Sequence, residues 1–280
     1  MILVAGGTGR LGSRVVLKLA EQGLDVRVLT RDVARAAHLR GQASEIVVGD
    51  VTDRATVDAA MVGASCVVSA VQGFAGPGRV SPESVDHAGN VNIVDAAAVV
   101  GAEMVMVSVV GAAPDHPMDL FRAKYAAEQY VRGSDLAWTI VRATAFVELW
   151  AEILAKGIVF GKGDNPINFV AVDDVAAVVA RTVTDAGTRG SILEVGGPEN
   201  VTINELMTLL RTGVVDGPAR VRHIPRTLLR VMARINRQPR AALAMDTVDM
   251  MFDAAAARRY ADLSMTDLVT ALKGMRPPDV

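Results

Sequence analysis

A chain of 280 residues, 51% of them apolar, can bury one large α/β core or a core with a small appendage. Its net charge of −2 gives no overall field that would attract nucleic acid or an anionic membrane. The single cysteine, Cys66, excludes an internal disulfide, fits a reducing compartment and is interpreted as a buried strand residue. We find neither a basic, apolar leader nor an apolar run near ~20 residues, so we expect a soluble cytoplasmic protein.

The first element is a glycine-rich turn between a strand and a helix. The apolar run 1–5 predicts a buried strand, and residues 13–20 are apolar at helical spacing. Between them, Gly6 allows a tight turn, Gly9 lets the backbone approach a pyrophosphate, and Gly12 lets helix and strand pack closely. The spacing is G-x-x-G-x-x-G, and the alternative is an ordinary strand-to-helix turn. The order strand, turn, helix predicts a nucleotide-binding loop.

Strands and helices then alternate as far as Arg142. We predict strands at 25–30, 45–48, 66–70, 104–108 and 138–142, and helices at 33–39, 54–61, 83–100 and 118–132. Continuously apolar strands at this spacing indicate an α/β fold, a Rossmann doubly wound parallel sheet with both faces covered.

The regular alternation of strands and helices becomes less clear after Arg142. We predict a helix at 146–156, a strand at 167–172, a helix from Asp173, a strand at 192–195 and a mainly helical end from Val201. The expected division is a dinucleotide-binding core at 1–145, with a late contribution from about 167–195, and a smaller C-terminal lobe at 146–280. We expect that lobe to close over the carboxyl ends of the strands, where open α/β sheets bind ligands.

The residues at the end of the second predicted strand indicate whether the cofactor is NAD(H) or NADP(H). An acidic residue there would bind the ribose 2′-OH of NAD, whereas an arginine accommodates a 2′-phosphate. Arg31 comes first and Asp32 follows, and Arg10 could supply a second cation. The alternative is that both arginines are solvated and Asp32 reaches the ribose. NADP(H) is favoured, with NAD(H) as the alternative.

Several separate stretches together resemble one family. They are 6–12, 29–31, 49–50, 90–97, 108–111, Lys124 with Glu128, 139–142, 172–176 and 197–199. In this order they are similar to the NmrA-like branch of the atypical short-chain dehydrogenases/reductases, over about residues 1–215. The resemblance implies a Rossmann fold with NAD(P) lying across the ends of strands 1, 2, 4 and 5.

The resemblance also implies the cofactor contacts. They are Gly6, Thr8, Gly9, Arg10, Leu11 and Gly12 in the loop; Arg31, Asp50, Val51, Ala70, Val71, Gln72, Ser108 and Lys124 at strand ends and on the following helices; and Ala143, Thr144 and Phe146 closing on the nicotinamide. Ordinary explanations stay open for some of them: turn chemistry for Asp50, and core packing for Phe146 and for residues 70–72.

Lys124 is the candidate catalytic residue. Reductases of the broader superfamily use a tyrosine four residues before a lysine, but Leu120 stands at that position here. Tyr125 lies about 100° away around the helix, which makes it a poor substitute. Lys124 could stabilise oxyanion charge in a hydride acceptor such as a quinone or enone. Alternatively, it is a surface lysine paired with Glu128.

Two hypotheses of different classes follow. The first is an NADPH-dependent oxidoreductase that reduces a small apolar acceptor; the second is a sensor that binds NADP without turnover and acts through a protein partner. Epimerase- or dehydratase-like chemistry on a nucleotide sugar is a third, and Leu120 counts against it. The scattered histidines predict no metal site. Either a monomer or a homodimer agrees with the sequence.

One further stripe is basic. Arg226, Arg230, Arg234 and Arg237 are predicted to share a helix with Leu228, Leu229, Met232 and Ile235. Such a stripe is usually a solvated face over a packed one, and the alternative is weak contact with a membrane surface.

Overall fold

The computed structural model describes residues 1–74, 80–214, 220–253 and 264–275. The chain forms two compact units. The first comprises Met1–Arg142 with Val175–Glu194, and the second comprises Ala143–Asp174 with Val195–Val280. No helix in these described ranges is both long enough and apolar enough to cross a membrane.

The elements follow the predicted order. The strands are β1 (Ile2–Ala5), β2 (Val26–Thr30), β3 (Glu45–Val48), β4 (Cys66–Ser69), β5 (Glu103–Val109), β6 (Trp138–Ala143), β7 (Ala145–Phe146), β8 (Ile158–Phe160), β9 (Pro166–Val170), β10 (Ser191–Val195), β11 (Asn200–Thr202) and β12 (Arg222–Ile224). The α-helices are α1 (Arg10–Glu21), α2 (Arg54–Met61), α3 (Gly89–Val100), α4 (Asp119–Arg132), α5 (Val147–Leu154), α6 (Val172–Thr184), α7 (Ile203–Leu209), α8 (Arg226–Met232), α9 (Arg237–Met245) and α10 (Leu268–Lys273). Short 3₁₀ helices cover Val33–Leu39 and Ala186–Thr188, and π-helical turns cover Pro82–Ala88 and Leu210–Val214.

The first unit is built on a seven-stranded sheet of order β10-β6-β5-β4-β1-β2-β3. β1 pairs in parallel with both β2 and β4, and the β2–β3 and β4–β5 pairs are also parallel. After β3 at one edge, the chain returns to place β4 beside β1. The direction in which successive strands are added to the sheet therefore reverses between β1 and β4. Open sheets of this kind bind ligands at that reversal.

The core of the first unit lies on both faces of this sheet. Every residue of β1 and β4 is buried, as their apolar runs predict for strands covered on both sides. β3 lies at one edge of the sheet, and Val48 is largely exposed there. The predicted Rossmann doubly wound sheet is confirmed.

The second unit carries two small sheets of its own. In one, of order β11-β9-β7, β9 is antiparallel to β11 and parallel to β7; in the other, β8 and β12 run parallel. Of the predicted late contribution to the core, α6 from Val175 and β10 belong to the first unit, whereas β9 does not.

The basic stripe does not lie on one helix, so that prediction is wrong. α8 ends at Met232 and α9 begins at Arg237. Pro239 has no N–H to donate four residues back and its ring crowds the preceding turn, so one continuous helix is excluded. The Asn236 side chain instead accepts from the Gln238 N–H and caps the new helix.

Candidate functional site

The glycine loop after β1 packs against the end of β4. Gly6 has φ +80°, and a Cβ there would lie 2.6 Å from the carbonyl oxygen of Ala70 and 3.1 Å from the amide nitrogen of Val71. A Cβ on Gly12 would overlap the Gly6 carbonyl and lie 2.8 Å from the Cα of Gly7. These two positions therefore require glycine, and the loop takes the path that the sequence predicts.

The N-terminus of α1 opens from this loop. Gly9 is the N-cap, no side chain caps the helix, and its first turn contains no acidic residue. The leading N–H groups of a helix and its positive dipole end favour an anion. Arg10 is exposed at this end, whereas the Leu11 side chain is buried and packs in the core. The arrangement fits the pyrophosphate of a dinucleotide.

A second group of polar residues follows β2 and β3. Nη1 of Arg31 lies 4.0 Å from Oδ2 of Asp50, with both side chains partly exposed. The Asp32 carboxylate accepts from the Ala34 N–H at 2.9 Å and caps the 3₁₀ helix that follows. Asp50 also accepts from the Thr52 N–H and hydroxyl, both at 2.9 Å, so turn chemistry accounts for one of its oxygens.

Thr8, Val51 and Gln72 are three further residues of the predicted cofactor site. The Thr8 hydroxyl lies 3.4 Å from that of Thr30, at the end of β2. Val51 is buried, and its carbonyl accepts from the Asn92 side chain. Gln72 is exposed just beyond β4.

Lys124 is a buried residue, only 4% exposed. Its Nζ donates to the carbonyl oxygens of Val71 at 2.9 Å and Val107 at 3.0 Å. The same nitrogen lies 3.1 Å from Oδ1 of Asp86. The alternative of a surface lysine paired with Glu128 is therefore wrong.

Asp86 is a residue of this site to which no sequence pattern points. It is fully buried, and its Oδ2 accepts from the Gly73 N–H at 2.8 Å. Burial raises the pKa of this carboxyl, and the nearby Lys124 ammonium opposes the rise. Lys124 and Asp86 thus hold the same loop, since one binds the carbonyl of Val71 and the other the amide of Gly73.

The Asn90 side chain connects the backbone of Asp86 to β4. The Asn90 amide donates to the main-chain carbonyl of Asp86 at 2.7 Å and accepts from the Ser69 hydroxyl at 2.6 Å. All three residues are buried. The sequence places Asn90 in a motif of the family, but it gives no sign that Asp86 would meet a lysine 38 positions further along.

Ser108 belongs to a different buried cluster. Its hydroxyl donates to Oε1 of Glu128 at 2.5 Å, and the Arg142 guanidinium donates to both Glu128 oxygens at 3.0 and 2.6 Å. Hydrogen bonding to Glu128 raises the pKa of Arg142, so the guanidinium stays charged. The Ser108 hydroxyl is thereby engaged within the protein, and its contact with a cofactor stays a prediction.

The residues predicted to close on the nicotinamide, Ala143, Thr144 and Phe146, fall in the second unit. The Thr144 hydroxyl donates to Asn168 at 2.8 Å, and Phe146 is half-buried at the start of α5. Their cofactor contacts stay predictions. Leu120, at the position of the usual tyrosine, is buried.

Comparison with known proteins agrees with this geometry. Residues 6–186 match the family model described as NAD(P)H-binding. The chain is 31% identical over 216 residues to an NAD(P)H azoreductase of Xenophilus azovorans, covering 75% of this chain and 72% of the relative. It is 34% identical over 212 residues to a (4-alkanoyl-5-oxo-2,5-dihydrofuran-3-yl)methyl phosphate reductase of Streptomyces griseus, covering 73% and 71%.

A solved structure shows the same fold. It is an NADPH-dependent quinone oxidoreductase of Escherichia coli in complex with NADPH, with a TM-score of 0.78 and 19% identity over 97% of this chain and 98% of that one. Together with the glycine loop and the switch between β1 and β4, these matches establish that the chain belongs to the NAD(P)H-binding family, in agreement with the resemblance to the NmrA-like atypical short-chain dehydrogenases/reductases.

Proposed function

We propose that this protein is an NADPH-dependent reductase that transfers hydride to a small apolar acceptor such as a quinone or a conjugated carbonyl. The observation that carries the proposal is the uncapped N-terminus of α1 behind a loop in which Gly6 and Gly12 admit no side chain. The acceptor class is suggested by relatives whose names specify an azo compound, an oxo-dihydrofuran and a quinone.

NADPH is preferred to NADH in this proposal because of the residues after β2. One oxygen of the Asp32 carboxylate is engaged as a helix cap, which leaves that side chain less able to bind a ribose. Arg31 is about half exposed, and its partner Asp50 is 4.0 Å away, a separation that leaves the guanidinium available to a phosphate. Arg10 lies at the same end of the sheet and is the second candidate cation.

When bound, the nicotinamide supplies the hydride, and the chain's own residues position it. In the proposal, residues 6–12 hold the pyrophosphate, and the loop from Ala70 to Gln72 lines the ribose. Lys124 acts as a positioning residue, because its ammonium group already has three oxygen neighbours and little exposure. The oxyanion role predicted for Lys124 would require that ammonium group to leave at least one of them.

The acceptor class suits a site with Leu120 in place of tyrosine. A simple ketone accepts hydride as a localised alkoxide, which needs a proton donor in the transition state. A quinone or conjugated carbonyl spreads the new negative charge over several atoms. Water can then deliver the proton after hydride transfer, so the two-electron reduction is balanced without a side-chain acid.

Titration with NADPH, NADP⁺ and NADH, followed by fluorescence, tests the cofactor part of the proposal. We expect Arg31→Ala to raise the Kd for NADPH by about 10- to 100-fold, as for a lost charge-assisted contact, and that for NADH by less than about threefold. Arg35→Ala, also exposed and four residues further on, is the matched control. Equal losses for both dinucleotides would refute the assignment.

Oxidation of bound NADPH by quinone and enone acceptors tests the activity. Acceptor-dependent oxidation supports the reductase. The alternative is a sensor that binds NADP without turnover, and one observation favours it: neither Leu120 nor the fully engaged Lys124 presents a proton donor. Tight NADPH binding with no oxidation by quinone, enone or azo acceptors would favour the sensor and exclude the reductase.

A further inference from the structure

The segment from Arg220 to Met245 has a charge opposite to that of the chain as a whole. It contains seven of the 29 lysines and arginines and no aspartate or glutamate, whereas the whole chain has a net charge of −2. Arg226 is engaged with Asp246 and belongs to the fold of the second unit. Arg230 and Arg234 are exposed, and neither forms an ion pair within the part of the chain that the structure describes.

Apolar side chains are exposed on the same segment. Leu228, Val231 and Met232 are exposed on α8, and Ile235, just after it, is 91% exposed. Hydrogen bonds from the Ile235 and Asn236 N–H groups to the Met232 carbonyl continue the helical turn beyond α8. The four side chains thus follow the spacing i, i+3, i+4, i+7 and form one stripe, which we call the α8 stripe.

The buried side of α8 is a different one. Leu229 is almost fully buried and Ala233 is partly buried, so the helix is anchored by the face opposite the stripe. Around the helix, Arg230 and Arg234 lie between this anchored face and the apolar stripe. The apolar side chains therefore project furthest from the protein, and the cations lie to one side of them. This order matches a bilayer interface, in which the acyl chains lie deeper than the lipid phosphates.

We propose that the α8 stripe docks on an anionic lipid bilayer surface. The four apolar side chains enter the headgroup region, and Arg230 and Arg234 bind lipid phosphates. A nucleic acid would leave the exposed leucine, valine, methionine and isoleucine without a partner, so the charge and the apolar stripe together favour lipid. The proposal does not depend on catalysis, because none of these residues is among those proposed to hold the cofactor.

Co-sedimentation of the full chain with vesicles tests the proposal. We expect binding to phosphatidylglycerol vesicles that weakens as salt rises, and much weaker binding to phosphatidylcholine vesicles. Arg230→Gln with Arg234→Gln should weaken phosphatidylglycerol binding about 25-fold, from about fivefold for each cation. Ile235→Glu should weaken it at least about tenfold, since an apolar contact is replaced by a repelled charge.

Matched controls separate lipid binding from general charge and hydrophobicity. Val99→Glu changes a side chain that is 78% exposed on α3, and Arg132→Gln removes an exposed arginine at the end of α4. Both should bind vesicles like the wild type, and all variants should bind NADPH equally. Absence of binding to phosphatidylglycerol at low salt overturns the proposal. Loss with the arginine pair but not with Ile235→Glu also overturns it, since contact with the phosphates would then be purely electrostatic and the apolar stripe would not enter the headgroup region.

Discussion

Replacing Lys124 with methionine tests whether the buried ion pair holds the loop after β4. Methionine keeps an unbranched chain but removes the donors to Val71 and Val107 and leaves Asp86 without a countercharge. Asp86 is fully buried, and removing one partner from such a pair costs about 3–5 kcal/mol. Because a domain is stable by only about 5–15 kcal/mol, we expect Lys124→Met to lose a large share of the free energy of unfolding.

A double variant isolates the charge from the other contacts. Asp86→Asn keeps an acceptor for the Gly73 N–H but carries no charge. In Lys124→Met/Asp86→Asn no uncompensated charge is buried, so the double variant should be more stable than Lys124→Met alone. We expect a coupling energy of about 1–3 kcal/mol between the two substitutions. Lys156→Met, at an exposed lysine, should change stability by less than about 0.5 kcal/mol.

The same comparison has a defined pH dependence. Burial raises the folded-state pKa of Asp86, and removing Lys124 takes away the attraction that opposes the rise. A raised folded pKa adds stability that is present below the unfolded pKa of about 3.9 and is lost as pH rises through the folded value. The free energy of unfolding of Lys124→Met should therefore fall relative to that of the double variant as pH rises above about 4, by up to about 1.4 kcal/mol per pH unit.

Urea unfolding followed by circular dichroism at pH 5, 6, 7 and 8 measures both effects. Strictly additive single substitutions, or a Lys124→Met variant within about 1 kcal/mol of the wild type, would refute the reasoning. A difference between Lys124→Met and the double variant that shrinks with rising pH would contradict the burial effect on Asp86.

Three further predictions concern the first unit. Gly12→Ala should abolish NADPH binding and lower the free energy of unfolding by about 1–3 kcal/mol, because the new methyl group meets the backbone of the glycine loop. Gly133→Ala, at a position where a methyl group would make ordinary contacts, is the control. Arg142→Met should lower the free energy of urea unfolding by about 3 kcal/mol or more, since it removes the cation that pairs with the buried Glu128 side chain; wild-type stability would contradict this. Burial raises the pKa of Cys66 to about 12. Alkylation at pH 8 should therefore be about 10³-fold slower in the folded than in the urea-unfolded protein, and equal rates would contradict the raised pKa.

The sequence predicts the framework of the first unit because its signals are local. Apolar runs such as 1–5 and 66–70 mark strands buried on both faces, and the structure places them at the centre of the sheet. The glycine loop is equally local, since Gly6, Gly9 and Gly12 act within one turn. Pro239 is also a local signal, and it marks the break between α8 and α9 that the arginine spacing obscures.

The polar partners could not be predicted in the same way. Lys124 suggested a bond to Glu128 because residues four apart on a helix face each other. The fold instead turns Lys124 inward to Asp86 and gives Glu128 to Arg142. Both pairings depend on how separate strands and helices pack together, and no residue spacing within a single element encodes them. A periodic pattern predicts which face is buried, but not which charges meet there.

The Lys124–Asp86 pair connects this packing to the function. A buried ion pair is weak evidence for stability, because desolvation offsets much of the attraction between the charges. Here the two charges also hold opposite groups of one short loop, the Val71 carbonyl and the Gly73 amide. The same loop begins at Ala70, whose carbonyl sets the space that only Gly6 can occupy. The ion pair therefore fixes the surface against which the glycine loop rests, so the Lys124→Met variant should weaken NADPH binding even where the protein remains folded.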